Sequence, residues 1–399
     1  MTPIHETFLA VLRSALRGQR FVPDRELTAE EWNILLQMAS EHKLLPMIYE
    51  ALRHLLPQSA AGPIKQQVRR QVILQTMRTE QFLELNRRLR EAGLTPLVVK
   101  GIVCRALYPK PDHRPSADED VLIPPAQLAQ CRQILEDFGM STGETEPNAY
   151  EFPYRRAGSP LYIELHRSLF PKESEAYGDL NDFFGDSFRL TSEIEVLGQK
   201  VLTMHPTDHI TYLIFHAFKH FLHSGFGIRQ VCDILLFAQH YGGHIDWEWV
   251  RLSCHSIRAE KFAAAIFRIG AEHLGFSPIP GWQELSVDPL PLLTDILGAG
   301  VYGSSDADRL HSSAITLEAV ISEKQKRRAR NSVLLSLFPP ADKMESRYPW
   351  LKERPWLLPA AWVGRMAGYL RQPRNTSAAK SLQVGAERIA LLQYYDILN

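Results

Sequence analysis

Hydrophobic spacing changes character twice along the chain, and that change bounds what it can fold into. Residues 1–92 carry apolar side chains at helical spacing. Thr28-Ala-Glu-Glu31 has the form of a capping box, in which a hydroxyl and a carboxylate three residues apart satisfy the first free N–H groups of a helix. The run that follows puts Trp32, Leu35, Leu36 and Met38 on one face. Pro63 stands where a helix begins, and the spacing predicts one long helix from there through Leu89, stopped by Gly93. Then the period shortens. Leu97-Val-Val99, Asp118–Ile123, Tyr150–Arg155 and Leu161–His166 read as strands, with Ala126–Phe138 as an amphipathic helix among them. Gly101 follows the first strand and Ile102–Leu107 predicts a short helix, whereas Tyr108–Pro115 is too rich in proline for regular structure. After Pro206 the helical period returns over Asp208–Leu222, Gly227–His240, Asp246–Cys254 and Ala259–Leu274. Residues 275–312 read as a loop-heavy connection, and Ser313–Leu337 as a further helix. The expected fold is α+β: a small mixed sheet over residues 93–204, between an N-terminal helical region (1–92) and a larger C-terminal helical region (205–399).

Charge narrows the partners. Lys and Arg total 45 and Asp and Glu total 45, so the chain lacks the basic excess of a nucleic-acid coat, and nucleic acid is disfavoured as a partner. Four cysteines are scattered with no C-x-x-C pair, which suits free thiols in a reducing cytosol. No basic stretch followed by an apolar segment opens the chain, and Trp356–Gly364 is about half of what spans a bilayer. The expectation is a cytoplasmic protein without a membrane span.

The chemistry-bearing pattern is Asp118-Glu-Asp120 followed by Val121-Leu-Ile123. Alternate side chains of a strand share a face, so the two aspartates point the same way. A carboxylate pair of that kind suits hard divalent cations, and phosphoryl and nucleotidyl transfer use two such ions about 4 Å apart. Leu161-Tyr-Ile-Glu-Leu-His166 adds a third carboxylate: Tyr162, Glu164 and His166 share the face opposite Leu161, Ile163 and Leu165. A carboxylate in an apolar strand needs a partner, because an unpaired buried charge is costly. The competing reading makes D-x-D a solvated turn and Glu164 an exposed or salt-bridged residue.

Val98-Val-Lys-Gly101, Ala106-Leu-Tyr-Pro109 and Arg114-Pro-Ser-Ala-Asp-Glu-Asp-Val-Leu-Ile123 together resemble the signature of an uncharacterised bacterial nucleotidyltransferase family of the polymerase-beta-like superfamily. Ile163–His166, His216–His220, Gly227–Asp233, Arg347–Pro349, Trp356–Pro359 and Trp362–Arg365 extend the resemblance over most of the chain. It implies a polymerase-beta-like catalytic sheet and transfer of a nucleoside monophosphate from an NTP to an acceptor, such as a small molecule, peptide or sugar. Asp118, Asp120 and Glu164 would bind Mg²⁺ (or Mn²⁺), with Glu164 also the base for the acceptor hydroxyl. Lys100 and Gly101 would meet the triphosphate. The sequence departs from the superfamily pattern in two places. Gly101-Ile102 stands where Gly-Ser or Gly-Gly is usual, and Glu119 where the residue between the aspartates is usually apolar. Those departures favour the alternative of a non-catalytic module that keeps the fold to bind a nucleotide or partner.

Other candidates carry two readings each. Arg114 either grips the triphosphate or pairs with a neighbouring carboxylate. Lys219 and His220 are expected to face the cleft and meet phosphates, and a zinc site on the His216, His220 and His223 helix is the weaker option. Arg229 and Asp233, spaced i and i+4, are expected to pair. Lys324–Arg330 reads as a solvated helix face or as an electrostatic path for an anionic acceptor.

Overall fold

The computed structural model describes residues 1–143, 149–223, 225–299 and 378–398, with short stretches between 316 and 321 and between 344 and 362. Four helices lead the chain: α1 (Pro3–Leu16), α2 (Ala29–Glu41), α3 (Leu45–Leu52) and α4 (Gln58–Glu91). The capping box forms as expected, with the Glu31 N–H donating to Thr28 Oγ1 (3.2 Å) and the Thr28 N–H to the Glu31 carboxylate (2.9 Å). The long helix starts earlier than expected. Its N-cap is Pro57 and Pro63 lies inside it, where the missing N–H removes one hydrogen bond close to the exposed start.

The sheet follows: β1 (Leu97–Val98), α5 (Gly101–Arg105), β2 (Glu119–Leu122), α6 (Leu128–Asp137), β3 (Ser141–Thr142), β4 (Glu151–Arg155) and β5 (Tyr162–His166). The strand order is β1-β2-β5-β4-β3. Only the β2–β5 pair is parallel within this sheet, so β2 is flanked on both sides and is not an edge strand.

A hairpin that the sequence reading did not anticipate comes next, β6 (Thr191–Val196) and β7 (Gln199–Met204). Leu197 and Gly198 both take positive φ (49° and 75°), the pattern of a two-residue hairpin turn whose twist matches its strands. The hairpin closes the open edge of the main sheet. Thr203 Oγ1 donates to the Val98 carbonyl at 2.6 Å, and His209 Nε2 bonds the Val99 carbonyl at 2.6 Å. An uncovered edge strand would expose those carbonyls for pairing with another chain.

Helices α7 (Pro206–His223), α8 (Ile228–Tyr241), α9 (Trp247–Ser256) and α10 (Glu260–Ile269) match the returning helical period. The expected loop-heavy connection contains a helix, α11 (Leu290–Ala299), whose Leu292, Leu293, Ile296 and Leu297 enter the core. Its Pro291 falls in the first turn, where no N–H is needed, so the proline that suggested a loop starts a helix instead. The last described helix, Ala378–Tyr394, docks there: Tyr395 Oη accepts from the Leu292 N–H (3.0 Å) and donates to the Asp288 carbonyl (2.9 Å). One apolar core runs from Phe8 through the sheet to Leu398. Lys324–Arg330 and most of the helix expected over Ser313–Leu337 lie outside the described residues.

Two core histidines set an acid limit on this fold. His42 bonds the Leu297 carbonyl at 3.3 Å and His209 the Val99 carbonyl, and burial holds each pKa down to about 4 from the ordinary 6.5. Each is neutral when folded but protonates near 6.5 when unfolded. Their contribution is therefore complete above about pH 6.5 and lost as pH falls towards 4, on the order of 3 kcal/mol for each. Urea melts of His209→Gln should show a shallower loss of stability between pH 6.5 and 4 than the parent. An unchanged slope would remove His209 from this role.

Candidate metal and nucleotide site

Strand register builds the site. In the parallel β2–β5 pair Asp120 lies opposite Glu164, and Asp118 stands two residues before Asp120 at the strand entrance. The even spacing puts Asp118 and Asp120 on the face shared by Glu164 and His166. Ligand atoms of Asp120, Glu164 and His166 all lie within 4.8 Å of one another. Asp118 is outside that tightest group but lines the same cleft. Asp120 thus meets Glu164 and His166 in one group and shares the cleft lining with Asp118, which Glu164 does not join.

Their charges conflict. Glu164 is pushed up to about 8, first by burial and then by the negative charges of Asp120 and Asp118. Burial would also raise Asp120, but the Lys100 ammonium 2.9 Å away, together with His166, overrides it and holds Asp120 well below the usual carboxylate range. Asp120 is 1% exposed, and its Oδ2 has no hydrogen-bond partner among the described residues. A buried oxygen acceptor without a donor, beside a second carboxylate that resists ionisation, fits a divalent cation.

Lys100 was expected at the phosphates. The structure puts its Nζ on the Asp120 carboxylate and 3.1 Å from His216 Nε2 on α7. The two departures from the superfamily pattern prove to be one feature. Glu119, fully buried, points to the opposite face from the aspartates, where its carboxylate accepts from the Ile102 N–H (2.8 Å) and pairs with Arg105 at 2.5 Å. It reaches under Gly101 so closely that a Cβ there would lie 1.9 Å from Glu119 Oε2, and Gly101 holds φ +38°. Glycine is required at 101 by that carboxylate as well as by its own backbone. Arg105 also reaches Ser116 Oγ (2.6 Å), which ties α5 to the approach of β2.

Of the two readings of Arg114, the structure shows carboxylate pairing. Its guanidinium grips Asp233 of α8 through two bonds of 2.8 and 2.5 Å, and the Tyr108 hydroxyl donates to the same carboxylate at 2.7 Å. Arg114 Nη1 has no partner among the described residues, and Arg114 lines the cleft. The expected Arg229–Asp233 pair does not form. Asp233 is buried and takes the two-pronged partner from the sheet side, while Arg229 donates to the Pro115 carbonyl.

Helix α7 lines the cleft through Leu213 and His216, whereas Lys219 and His220, expected there, lie about one turn further along and outside that lining. Lys219 Nζ lies over the rings of Tyr150 (5.7 Å) and Tyr177 (5.9 Å), and burial followed by the Lys100 charge lowers its pKa. His216 and His220 rings are 4.6 Å apart, and burial first, then neighbouring cations, holds both well below the usual histidine range. The α7 histidines belong to no metal-ligating group among the described residues. Between α5, β2, α7 and α8 the cleft offers ≈ 30 Å³ to water, against the ~300–1,000 Å³ of a ligand site, so a nucleotide must widen it.

Three residues have roles that the sequence alone does not assign. Nothing local marks Arg105, and Tyr108 stands in the Ala106–Pro109 motif without a visible partner, because the carboxylates they meet lie 14 and 125 residues away. His166 shares the Glu164 face by the period of two, which is the one signal for it.

No described helix is long and apolar enough to cross a membrane. No curated protein and no solved structure matches the chain. A family model described as an uncharacterised nucleotidyltransferase matches residues 28–275, from the Thr28 cap past α10, and so takes in the sheet, the carboxylates, Lys100, Arg114 and the α7–α8 wall. The chain belongs to this uncharacterised nucleotidyltransferase family, and its small mixed sheet among helices is consistent with an α+β nucleotidyltransferase core.

Proposed function

We propose that this chain is a divalent-metal-dependent nucleotidyltransferase that moves a nucleoside monophosphate from an NTP to an acceptor hydroxyl on a small molecule, peptide or sugar. The acceptor oxygen bonds to the α-phosphorus, the bond from that phosphorus to the α–β bridging oxygen breaks, and pyrophosphate leaves. The register that sets Asp120 opposite Glu164, with Asp120 Oδ2 buried and lacking a partner among the described residues, carries this reading.

Asp118, Asp120 and Glu164 would hold Mg²⁺ or Mn²⁺, which when bound supplies positive charge to the phosphates and lowers the pKa of the acceptor hydroxyl. Glu164 then ionises and takes the acceptor proton. Lys100 is close enough to Asp120 to move from that carboxylate to a phosphate oxygen. Arg114, fixed by Asp233, presents Nη1 to the triphosphate without having to be ordered on binding. Lys219 and His220 provide the α7 side of the phosphate path. Buried thiols at Cys104, Cys131, Cys232 and Cys254 suit a cytoplasmic location.

Purified protein with Mg²⁺ or Mn²⁺, each α-³²P-labelled NTP and a cell extract should give a labelled acceptor and pyrophosphate. Label should vanish in Asp118→Asn. Nucleotide binding with no label from any NTP would replace this reading with a non-catalytic binding module.

A further inference from the structure

We propose that His166 is itself a ligand of the divalent ion, so that the site carries one nitrogen donor among its oxygens and selects a first-row transition-metal ion, with Mn²⁺ as the probe, over Mg²⁺. This deepens the transfer reading by fixing its metal chemistry, and it rests on the same carboxylates.

Three observations carry it. His166 is 4% exposed, and neither ring nitrogen makes a well-aligned hydrogen bond among the described residues, Nε2 meeting only the Asp120 carboxylate at 3.3 Å. Native structures seldom leave a buried imidazole unsatisfied at both nitrogens. Its Nε2 is aimed at the carboxylates, 3.3 Å from Asp120 Oδ1 and 3.8 Å from Glu164 Oε2. Those separations suit ligand atoms around a shared ion better than direct bonds between the groups. Asp120 Oδ2 is likewise buried and without a partner among the described residues. Two under-satisfied polar groups of complementary ligand chemistry, on adjacent strands and facing one point, suit a shared cation.

The backbone fixes this arrangement. His166 follows Glu164 by two residues in β5 and so shares its face, and the β4 pairing of both residues holds the strand straight through them. On the outer side the ring meets Tyr150 at 6.1 Å, and Nδ1 lies 3.9 Å from Glu151 Oε2. A small approach of Glu151 would let it accept from Nδ1–H and fix the tautomer that leaves Nε2 free to bind metal, the usual outer partner of a ligating histidine.

The donor set decides the ion. Mg²⁺ holds to oxygen ligands and keeps much of its water, whereas imidazole nitrogen raises affinity for transition-metal ions. Asp118, half-buried on the cleft lining and outside the Asp120–Glu164–His166 group, is left for an all-oxygen contact.

The test needs no nucleotide. Mn²⁺ binding to the full chain is followed by calorimetry and by pulsed electron paramagnetic resonance. The wild type should bind Mn²⁺ more tightly than Mg²⁺ and show ¹⁴N hyperfine coupling to the ion. His166→Gln, checked for an unchanged melting temperature, should lose the coupling and ~10–100-fold in Mn²⁺ affinity while Mg²⁺ affinity shifts far less. Bound Mn²⁺ without ¹⁴N coupling in the wild type, or no Mn²⁺ binding at all, overturns the proposal, and that result does not depend on any variant folding. A failure to label an acceptor would sink the transfer reading alone, and Mn²⁺ bound through oxygen alone would sink only the role of His166.

Discussion

Asp120→Asn should lower nucleotidyl transfer on the order of 10³-fold or more and also lower the melting temperature, because it breaks a largely buried ion pair. The loss follows from removing a metal-binding oxygen, because the charge stabilisation a bound divalent ion supplies is worth several kcal/mol of barrier. The stability loss follows from the electrostatics of the unliganded site. Asp120 and Glu164 face each other across a strand pair, and burial followed by the Asp120 charge raises the Glu164 pKa to about 8. Glu164 is therefore mostly protonated at neutral pH, and asparagine relieves little repulsion there. The Lys100–Asp120 ion pair, which holds Asp120 well below the usual carboxylate range, is lost. Calorimetric melting, with the labelling assay run where both proteins are folded, would separate the effects. A folded variant that keeps the parent's transfer rate would remove Asp120 from the metal site.

The second large effect lies on the other face of β2. Arg105→Met should destabilise the fold by about 3–5 kcal/mol, the usual consequence of leaving one member of a buried ion pair alone. Arg105 is 1% exposed and Glu119 0%, so no solvent reaches the charge left behind. Arg105→Met with Glu119→Leu should recover most of that loss, since the buried charges go together. It should not recover all of it, because the Ile102 N–H and Ser116 Oγ would both lose partners. Urea unfolding of the single and double variants gives the comparison directly. A single variant within about 1 kcal/mol of the parent would show that water or a relaxed backbone satisfies Glu119 instead.

Much of this was readable from residues close together in sequence. The Thr28 box, the Asp118–Asp120 spacing and the Tyr162–His166 alternation all rest on interactions within a few positions, where local geometry leaves little choice. What escaped depends on partners far along the chain. Asp233 could have taken Arg229 one helical turn away, yet a buried carboxylate gains more from the two-pronged Arg114 that the folded sheet delivers. The β6–β7 hairpin is half exposed on β6 and buried on β7, so only its docking on β1 reveals its purpose. Helix α11 was hidden by prolines and glycines that mark its ends rather than its absence. Glu119 looked like a defect because a lone strand cannot show the arginine beneath it.

The closeness of Glu119 to the α-carbon at 101 has a consequence for how such sequences drift. An alanine or serine at 101 would collide with the acid, so a side chain there requires a shorter residue at 119, and that change would in turn strand the Arg105 charge. Positions 101, 105 and 119 are therefore bound to change together. Even with a shorter residue at 119, the positive φ at 101 would strain any side chain that entered.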